Sequence, residues 1–136
     1  MLLDVQERRS GYEETAQPSR NERVSERRDD GEVVRKAVMM TVDPGKASEY
    51  ERRHQEIWPE MEDTLREHGV ITYSIFLDTV GLRLFAYVEV ESEEKWEAIS
   101  RSPVCQRWWA YMKDIMPCNP DNSPISQEMR EVFHID

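Results

Sequence analysis

The sequence has far fewer basic than acidic residues and no long apolar run, and each of these features argues against a class of partner. Its 136 residues include 18 lysines and arginines against 28 aspartates and glutamates, for a formal net charge of −10. Nucleic acids and anionic membranes bind basic faces, so this charge argues against both. A bilayer span needs about 20 apolar residues, and no run approaches that length. The sequence therefore predicts a protein without nucleic-acid or membrane partners.

Cysteine is also scarce. Cys105 and Cys118 are the two cysteines of the sequence, too few for a disulfide framework in a domain of this size. A reduced, cytoplasmic protein is the simplest interpretation. A racemase with two catalytic thiols is an alternative, but Cys105 lies in an ordinary helical stretch, which favours two inert thiols.

Short motifs for cofactors and metals are missing as well. The sequence has no glycine-rich phosphate loop, no HExxH and no CxxC motif. His68 and His134 are far from His54 in the sequence, which argues against a three-histidine site. We therefore predict no metal and no organic cofactor.

The first 32 residues differ in composition from the rest. They contain few large apolar side chains and many Glu, Arg, Ser and Asp residues, so they cannot bury enough surface to offset the entropy of ordering. The opening "MLL" meets Asp4 at once, unlike a signal peptide. We predict a flexible charged extension over 1–32 and a single globular domain over 33–136.

The globular part begins with a strand and a long helix. "VVRKAVMMTV" (33–42) is rich in β-branched and apolar residues and predicts a strand. Residues 46–69 have the apolar spacing of an amphipathic helix that ends at Gly69. Pro59 lies inside that helix and disfavours helical geometry at Trp58, which predicts a kink or a restart there.

A hairpin, two helices and a last strand follow. Residues 70–78 and 82–90 predict antiparallel strands. Ser92 is a suitable N-cap for the next helix, and Pro103 suits the first turn of another. "REVFHI" (130–135) is short, apolar and β-prone, and predicts the last strand.

This order of elements predicts an α+β fold. Strand, helix, strand, strand, helices and strand make up the ferredoxin-like split βαβ arrangement, an antiparallel sheet with helices on one face. The other face would stay bare. A symmetric homodimer can cover it, which would give a dimeric α/β barrel.

One histidine lies on the apolar side of the first helix. With about 100° per residue and Tyr50 as zero, His54 falls near +40° and Met61 near +20°. The imidazole therefore lies inside the apolar arc, one turn after Tyr50. Such a histidine either lines a pocket, where it could exchange protons near neutral pH, or is a core residue bonded to a backbone carbonyl.

Two adjacent tryptophans occur in "RWWAYM" (107–112). Trp108 continues the apolar stripe from Val104 to Ile115, whereas Trp109 lies about 100° further round the helix. Both cannot fill one stripe, so at least one faces a cavity or an interface. Indole rings suit the C–H face of a sugar, but core or dimer contacts would also account for the pair.

A tyrosine on the predicted second strand is a further candidate. Tyr73 shares a strand face with Ile71 and Ile75, so its ring points with the apolar set. A buried tyrosine needs a partner for its hydroxyl group. The side chain lines a site or packs in the core.

Six stretches, in this order from about Arg35 to the C-terminus, carry a resemblance to a known family: "RKAVMMTVDPG", "EYERRHQEIWPEM", "GVITYSIFLD", "LFAYVEVESEEKWEAI", "VCQRWWAYMKDIMPCNPDNSP" and "EVFHI". Together they resemble the L-rhamnose mutarotases. The combination of "VCQRWW", "MP" and "NPDNSP" is far more specific than a generic ferredoxin-like core. A small residue such as alanine is common in the family where Cys118 stands, and the extension 1–32 lies outside the resemblance.

The resemblance implies a dimeric α+β enzyme without a metal or an organic cofactor, which interconverts the α and β anomers of L-rhamnose. By matching position it implies that His54 is the proton donor. It also implies four sugar-binding residues: Tyr50, Tyr73, Trp108 and Trp109. The complementary base stays open between a tyrosine, a carboxylate and a water molecule.

Two other functions fit the predicted fold. A dimeric ferredoxin-like monooxygenase would bind haem or an aromatic substrate. A non-catalytic sugar-binding module would bind rhamnose without accelerating anomer exchange. The histidine beside paired tryptophans weighs against both.

Overall fold

The computed structural model describes residues 33–78, 80 and 82–136. The predicted extension 1–32 lies outside the described residues, so the division into 1–32 and 33–136 stays a prediction. Residues Val33–Val132 form one compact unit. In the described part of the chain, the strands and helices are β1 (Val34–Thr41), α1 (Ala47–Gln55), α2 (Pro59–Glu67), β2 (Val70–Leu77), β3 (Arg83–Val90), α3 (Glu93–Ile99), α4 (Pro103–Met112) and β4 (Gln127–Met129).

The four strands form one sheet in the order β2-β3-β1-β4, and every neighbouring pair is antiparallel. Ala86 on the central strand β3 pairs with Val38 of β1 on one side and with Ile75 of β2 on the other. This strand order and direction are those of the ferredoxin-like fold. The predicted α+β class and antiparallel sheet are therefore confirmed.

The interruption expected at Pro59 divides the predicted long helix into two. α1 ends at Gln55, and Trp58 has extended backbone angles, φ −63° and ψ 134°. Pro59 is then the first residue of α2, where its missing N–H costs nothing. The prediction of a restart is confirmed, and the break turns Trp58 away from the helical position that a continuous helix would give it.

Serine side chains begin the two helices on the other side of the hairpin. The hydroxyl group of Ser92 accepts a hydrogen bond from the amide of Lys95, 3.0 Å away. Ser102 caps α4 in the same way through the amide of Cys105, with Pro103 in the first turn. Each cap satisfies one of the amides that a helix leaves unpaired at its start.

The predicted last strand, 130–135, is wrong in position. β4 is Gln127–Met129, which pairs with Ala37–Met39 of β1, and the residues after it have no regular structure. All three β4 side chains are exposed, so backbone hydrogen bonds to β1, rather than apolar burial, place the strand. The apolar character of "VFHI" therefore gave a misleading signal.

The core lies between the helices and one face of the sheet. On β3, Leu84, Ala86, Val88 and Val90 point to this face and are 0–5% exposed. Leu84 and Ala86 belong to a core cluster that includes side chains from every helix, among them Met61, Ile99 and Trp108. The alternate residues on β3 point to the opposite, open face. In the described part of the chain, no helix is long and apolar enough to cross a membrane.

Candidate active site

A cavity of about 1320 Å³ lies between the helices and the core-facing side of the sheet. It is lined by all five site residues predicted from the sequence: Tyr50 and His54 of α1, Tyr73 of β2, and Trp108 and Trp109 of α4. Residues from three separate elements are therefore brought to one place. Their functional roles stay predictions.

Helix α1 fixes the orientation of the imidazole. The ring of His54 stacks on that of Tyr50, one turn earlier, with centroids 4.3 Å apart and 27° between the planes. Its Nδ1 atom lies 3.1 Å from the backbone carbonyl oxygen of Tyr50. Because a carbonyl can only accept, Nδ1 carries the proton and donates it to this bond. In the neutral ring, Nε2 is then the nitrogen with a free lone pair.

The surroundings of His54 keep the ring neutral. Burial lowers the pKa of His54 below its usual 6.5, and the hydrogen bond to the Tyr50 carbonyl offsets part of that effect. Burial disfavours the imidazolium form because the charge loses its hydration. Near neutral pH, His54 therefore presents an unprotonated Nε2, the state that accepts a proton.

Three aromatic side chains, Trp58, Trp108 and Tyr111, form a cluster that contacts the imidazole through Trp108. Trp108 is 7% exposed and meets the His54 ring edge to face, with centroids 5.4 Å apart. Trp58 contacts Trp108 in the same geometry at 5.1 Å, and Tyr111 contacts both indoles at 5.4 and 5.6 Å. Edge-to-face and tilted ring pairs of this kind are favourable contacts. Trp58 and Tyr111 therefore pack against the same indole that contacts His54.

Trp109 differs from its neighbour in burial. It is partly buried and packs against the edge of the core cluster, whereas Trp108 belongs to the cluster itself. Both line the cavity. The turn of about 100° between adjacent helical residues accounts for the difference, and it leaves Trp109 the more accessible indole.

Two tyrosine hydroxyl groups stay protonated in the cavity. Desolvation raises the pKa of Tyr73 to about 12. Burial also raises the pKa of Tyr50, and the nearby Tyr73 adds to that rise. Tyr73 lines the cavity, and the centroid of its ring lies 6.0 Å from that of Trp96. Both phenols can donate hydrogen bonds to a ligand, but neither is a base near neutral pH.

In the part of the chain that the structure describes, neither the thiols nor a cluster of metal-ligating residues provides a second set of reactive groups. Within the described ranges, no group of three or more His, Cys, Asp or Glu residues is arranged to hold a metal ion. Both cysteines are free, and burial raises the pKa of Cys105, which lines the cavity, to about 11. A thiol of that pKa stays protonated near neutral pH.

The residues that support the site give weak signals in the sequence. The interruption of the helix at Trp58 was predicted, but the aromatic contacts of Trp58, Tyr111 and Trp96 were not anticipated. Arg53 was also overlooked, although it lies only about 60° from Tyr50 on the helical wheel, close to the apolar arc. That angle is the one signal in the sequence that pointed to a buried arginine.

Comparisons with known proteins agree on one family. A family model described as L-rhamnose mutarotase matches residues 35–135. The chain is 56% identical to the L-rhamnose mutarotase of Tolumonas auensis over 103 residues, which cover 76% of this chain and 99% of that relative. Among solved structures, an L-rhamnose mutarotase from Formosa agariphila superposes with a TM-score of 0.69 at 37% identity, covering 76% of this chain and 99% of the other.

The fold alone is shared more widely. A protein from Nitrosomonas europaea described as an antibiotic biosynthesis monooxygenase superposes with a TM-score of 0.54 at 14% identity, covering 76% of this chain and 94% of the other. Similarity at that level of identity reflects the ferredoxin-like arrangement of strands and helices. It carries no information about the reaction.

Proposed function

This chain belongs to the L-rhamnose mutarotase family, and we propose on that basis that it is an isomerase that interconverts the α and β anomers of L-rhamnose. One observation in particular supports the proposal. His54 is half-buried, burial lowers its pKa, and it lines a cavity together with Tyr50, Trp108 and Trp109. A proton-exchanging group beside flat apolar surfaces is what anomer exchange on a sugar requires.

The reaction opens the pyranose ring and closes it again on the other face of C1. In opening, a base removes the proton of the anomeric hydroxyl group while the bond between C1 and the ring oxygen breaks. The ring oxygen receives a proton, and C1 becomes an aldehyde. Rotation about the bond between C1 and C2, followed by the reverse transfers, gives the other anomer. No proton is gained or lost overall.

We assign the proton exchange to Nε2 of His54. The family resemblance implies that His54 is the proton donor, and the lowered pKa adds a condition to that role. A neutral Nε2 must first take up a proton from a sugar oxygen before it can donate one. His54 would then act as base in one half of the cycle and as acid in the other, as microscopic reversibility requires.

The two protonated tyrosines are suited to the complementary step. A phenol with a raised pKa keeps its proton near neutral pH, so Tyr50 or Tyr73 could donate to the ring oxygen as it separates from C1. This assignment fills the second half of the proton exchange with groups that line the same cavity. In this assignment the tyrosine begins the cycle as the acid, so it is not the base that removes the first proton.

The indoles would bind the body of the sugar. Trp108 and Trp109 both line the cavity, and an indole ring offers a flat apolar surface to the C–H bonds of a pyranose and an N–H donor to its hydroxyl groups. L-rhamnose is a 6-deoxy sugar, and its methyl group also favours an apolar wall. These contacts would hold the ring while C1 stays free to rotate.

A symmetric homodimer that forms a dimeric α/β barrel is part of the proposal. The open face of the sheet carries the aromatic rings of Phe85 and Tyr87 on β3 and of Phe76 on β2, and Phe76 is 62% exposed. Packing this face against a second copy would remove a contiguous apolar surface from water. A cytoplasmic location is proposed as well, in keeping with two free cysteines.

The decisive experiment is NMR saturation transfer between the α and β anomeric protons of L-rhamnose. We expect the wild-type protein to accelerate the exchange, and His54→Gln to reduce that acceleration by about 10²–10⁴-fold, the usual contribution of one general acid–base group. Haem or aromatic-ligand absorbance without faster exchange would favour a monooxygenase. Rhamnose binding without faster exchange would indicate a sugar-binding module.

His68→Gln is the matched control. Its Nδ1 also bonds the carbonyl of the residue four positions earlier, Thr64, at 2.8 Å, but His68 does not line the cavity. We expect this variant to exchange anomers as fast as wild type. A comparable loss in both variants would contradict a specific role for His54.

A further inference from the structure

Arg53, next to the catalytic candidate His54, is a buried cation that joins two helices. It is 9% exposed. One terminal nitrogen, Nη1, donates to the backbone carbonyl of Tyr111 at 2.7 Å and to Asp114 at 2.9 Å, and Nη2 donates to the second Asp114 oxygen at 3.3 Å. Nε donates to Glu49, one turn earlier on α1, at 2.7 Å. These bonds connect α1 with the C-terminal end of α4.

The guanidinium group of Arg53 also contacts the aromatic side chains that pack around Trp108. Its central carbon lies 4.4 Å above the ring of Tyr111, a cation–π contact. Tyr111 packs on Trp108, and Trp108 meets the imidazole of His54. Arg53 is therefore connected to His54 in two ways: by one peptide bond on α1, and through the side chains of Tyr111 and Trp108 on α4.

From this arrangement we propose that Arg53 is a positioning residue, which holds the His54 imidazole against Trp108 by fixing α1 to the end of α4. Arg53 does not line the cavity, so it touches no substrate and acts through the side chains it orients. The inference rests on the proposed function, because it assigns a part in the same proton exchange.

Arginine is the residue type that these contacts require. Its planar fork presents parallel N–H groups to both Asp114 oxygens while its face lies on the Tyr111 ring. Lysine keeps the charge but has one nitrogen, so it cannot bond both oxygens, Glu49 and the carbonyl while stacking on the ring. The hydrogen bonds from Arg53 also lower the pKa of Asp114, which keeps that carboxylate charged.

The test compares Arg53→Lys and Asp114→Ala with wild type. Asp114 has 65% of its side chain exposed, so Asp114→Ala removes a carboxylate from the surface, and Arg53 keeps its ion pair with Glu49. This second variant keeps the test informative if Arg53→Lys fails to fold. We expect kcat/KM for anomer exchange, per folded molecule, to fall by about 10–100-fold in both, the scale of a displacement of roughly 1 Å in a catalytic group. The loss should lie mainly in kcat.

A second readout separates positioning from mere stability. If His54 loses its fixed place against Trp108, water reaches the ring and its NMR titration midpoint should rise toward that of free histidine. Because Arg53→Lys retains the positive charge, such a rise reports hydration of the imidazole. A residue that only stabilised the fold would change the midpoint of unfolding and leave the His54 titration and kcat unchanged.

Arg107→Lys is the matched control. Arg107 is adjacent to Trp108 and bonds Glu60 of α2 at 2.9 Å, so it is also an inter-helix arginine beside a site residue, but more than half of each side chain is exposed. We expect wild-type activity and an unchanged His54 titration. Equal losses in this control, or wild-type kcat in folded Arg53→Lys and Asp114→Ala, would overturn the proposal. If the wild-type protein itself fails to accelerate exchange, the proposed function fails instead.

Discussion

At the scale of a single residue, the hydrogen bond between His54 and the Tyr50 carbonyl determines how activity should depend on pH. That bond fixes the proton on Nδ1 and leaves Nε2 as the exchanging atom. Burial lowers the pKa of the ring below 6.5. The active, unprotonated state should therefore persist into mildly acidic solution, where an ordinary histidine is already half protonated.

We predict that kcat/KM for anomer exchange stays level from about pH 8 down to about 6.5 and falls below that range with a midpoint under 6.5. Protonation removes the free lone pair of Nε2, so activity is lost as the pH drops. Saturation transfer across this range, corrected for spontaneous exchange, gives the profile, and the NMR titration of His54 should share its midpoint. A rate that rises as the solution becomes more acidic would contradict a neutral resting imidazole.

The same pKa shift affects stability in the same direction. In the unfolded chain the imidazole titrates near its usual value, so between the two pKa values the unfolded state binds more protons than the folded state. The contribution of His54 to the free energy of unfolding is therefore complete above about pH 6.5 and declines as the pH falls. Lowering the pH should therefore reduce both the activity of His54 and the free energy of unfolding.

Residue patterns located the candidate site better than they located its supports. The helical spacing of Tyr50 and His54 and the adjacency of the two tryptophans are local features, which a sequence displays directly. Arg53 and Tyr111 are 58 positions apart and meet only when α1 packs near α4. Contacts of that kind depend on the tertiary structure, and no local pattern encodes them.

At the scale of an element, helix α4 carries both tryptophans and depends on its first turn. Ser102 accepts a hydrogen bond from the amide of Cys105 and donates one to the carbonyl of Ile99 at 2.8 Å. The hydroxyl group therefore joins the end of α3 to the start of α4. Removing it leaves an amide near the buried end of the helix without its partner.

We predict that Ser102→Ala lowers the free energy of unfolding by about 1–2 kcal/mol, the cost of losing an N-cap. Urea denaturation monitored by tryptophan fluorescence measures the change. Ser100→Ala is the control, because Ser100 also bonds a carbonyl, that of Glu97, but lies at the C-cap of α3. We expect the control to lose less than half as much stability. Equal losses would indicate that the carbonyl bond, rather than the cap, is responsible.

Elements with strong local signals were predicted closely. Pro59 and the cap Ser92 act on neighbouring backbone, so the break in the first helix and the start of α3 follow from the sequence alone. The last strand did not, because β4 is held at the sheet edge by backbone pairing with Ala37–Met39 and buries no side chain. Edge pairing of this kind has no apolar alternation for a sequence to display.

At the scale of the whole molecule, the open face of the sheet is the feature that a single copy leaves unexplained. Antiparallel sheets often expose one face, but that face is then usually polar. Here β3 presents the rings of Phe85 and Tyr87, and Phe76 of β2 lies opposite Phe85. An apolar patch on a chain of net charge −10 is an expected place for a second copy to pack.

We predict that Phe76→Glu converts a dimer into a monomer, because burying an unpaired carboxylate at an interface costs more than the aromatic contacts return. Light scattering coupled to size-exclusion chromatography measures the mass of each species. Val80→Glu is the control, since Val80 is 91% exposed in the hairpin turn and lies outside the open face. A dimer that survives Phe76→Glu would mean that the copies associate through another surface. A wild-type monomer would exclude the dimeric barrel. Because the cavity lies within one chain, on the helix side of the sheet, anomer exchange would then have to take place in a single copy.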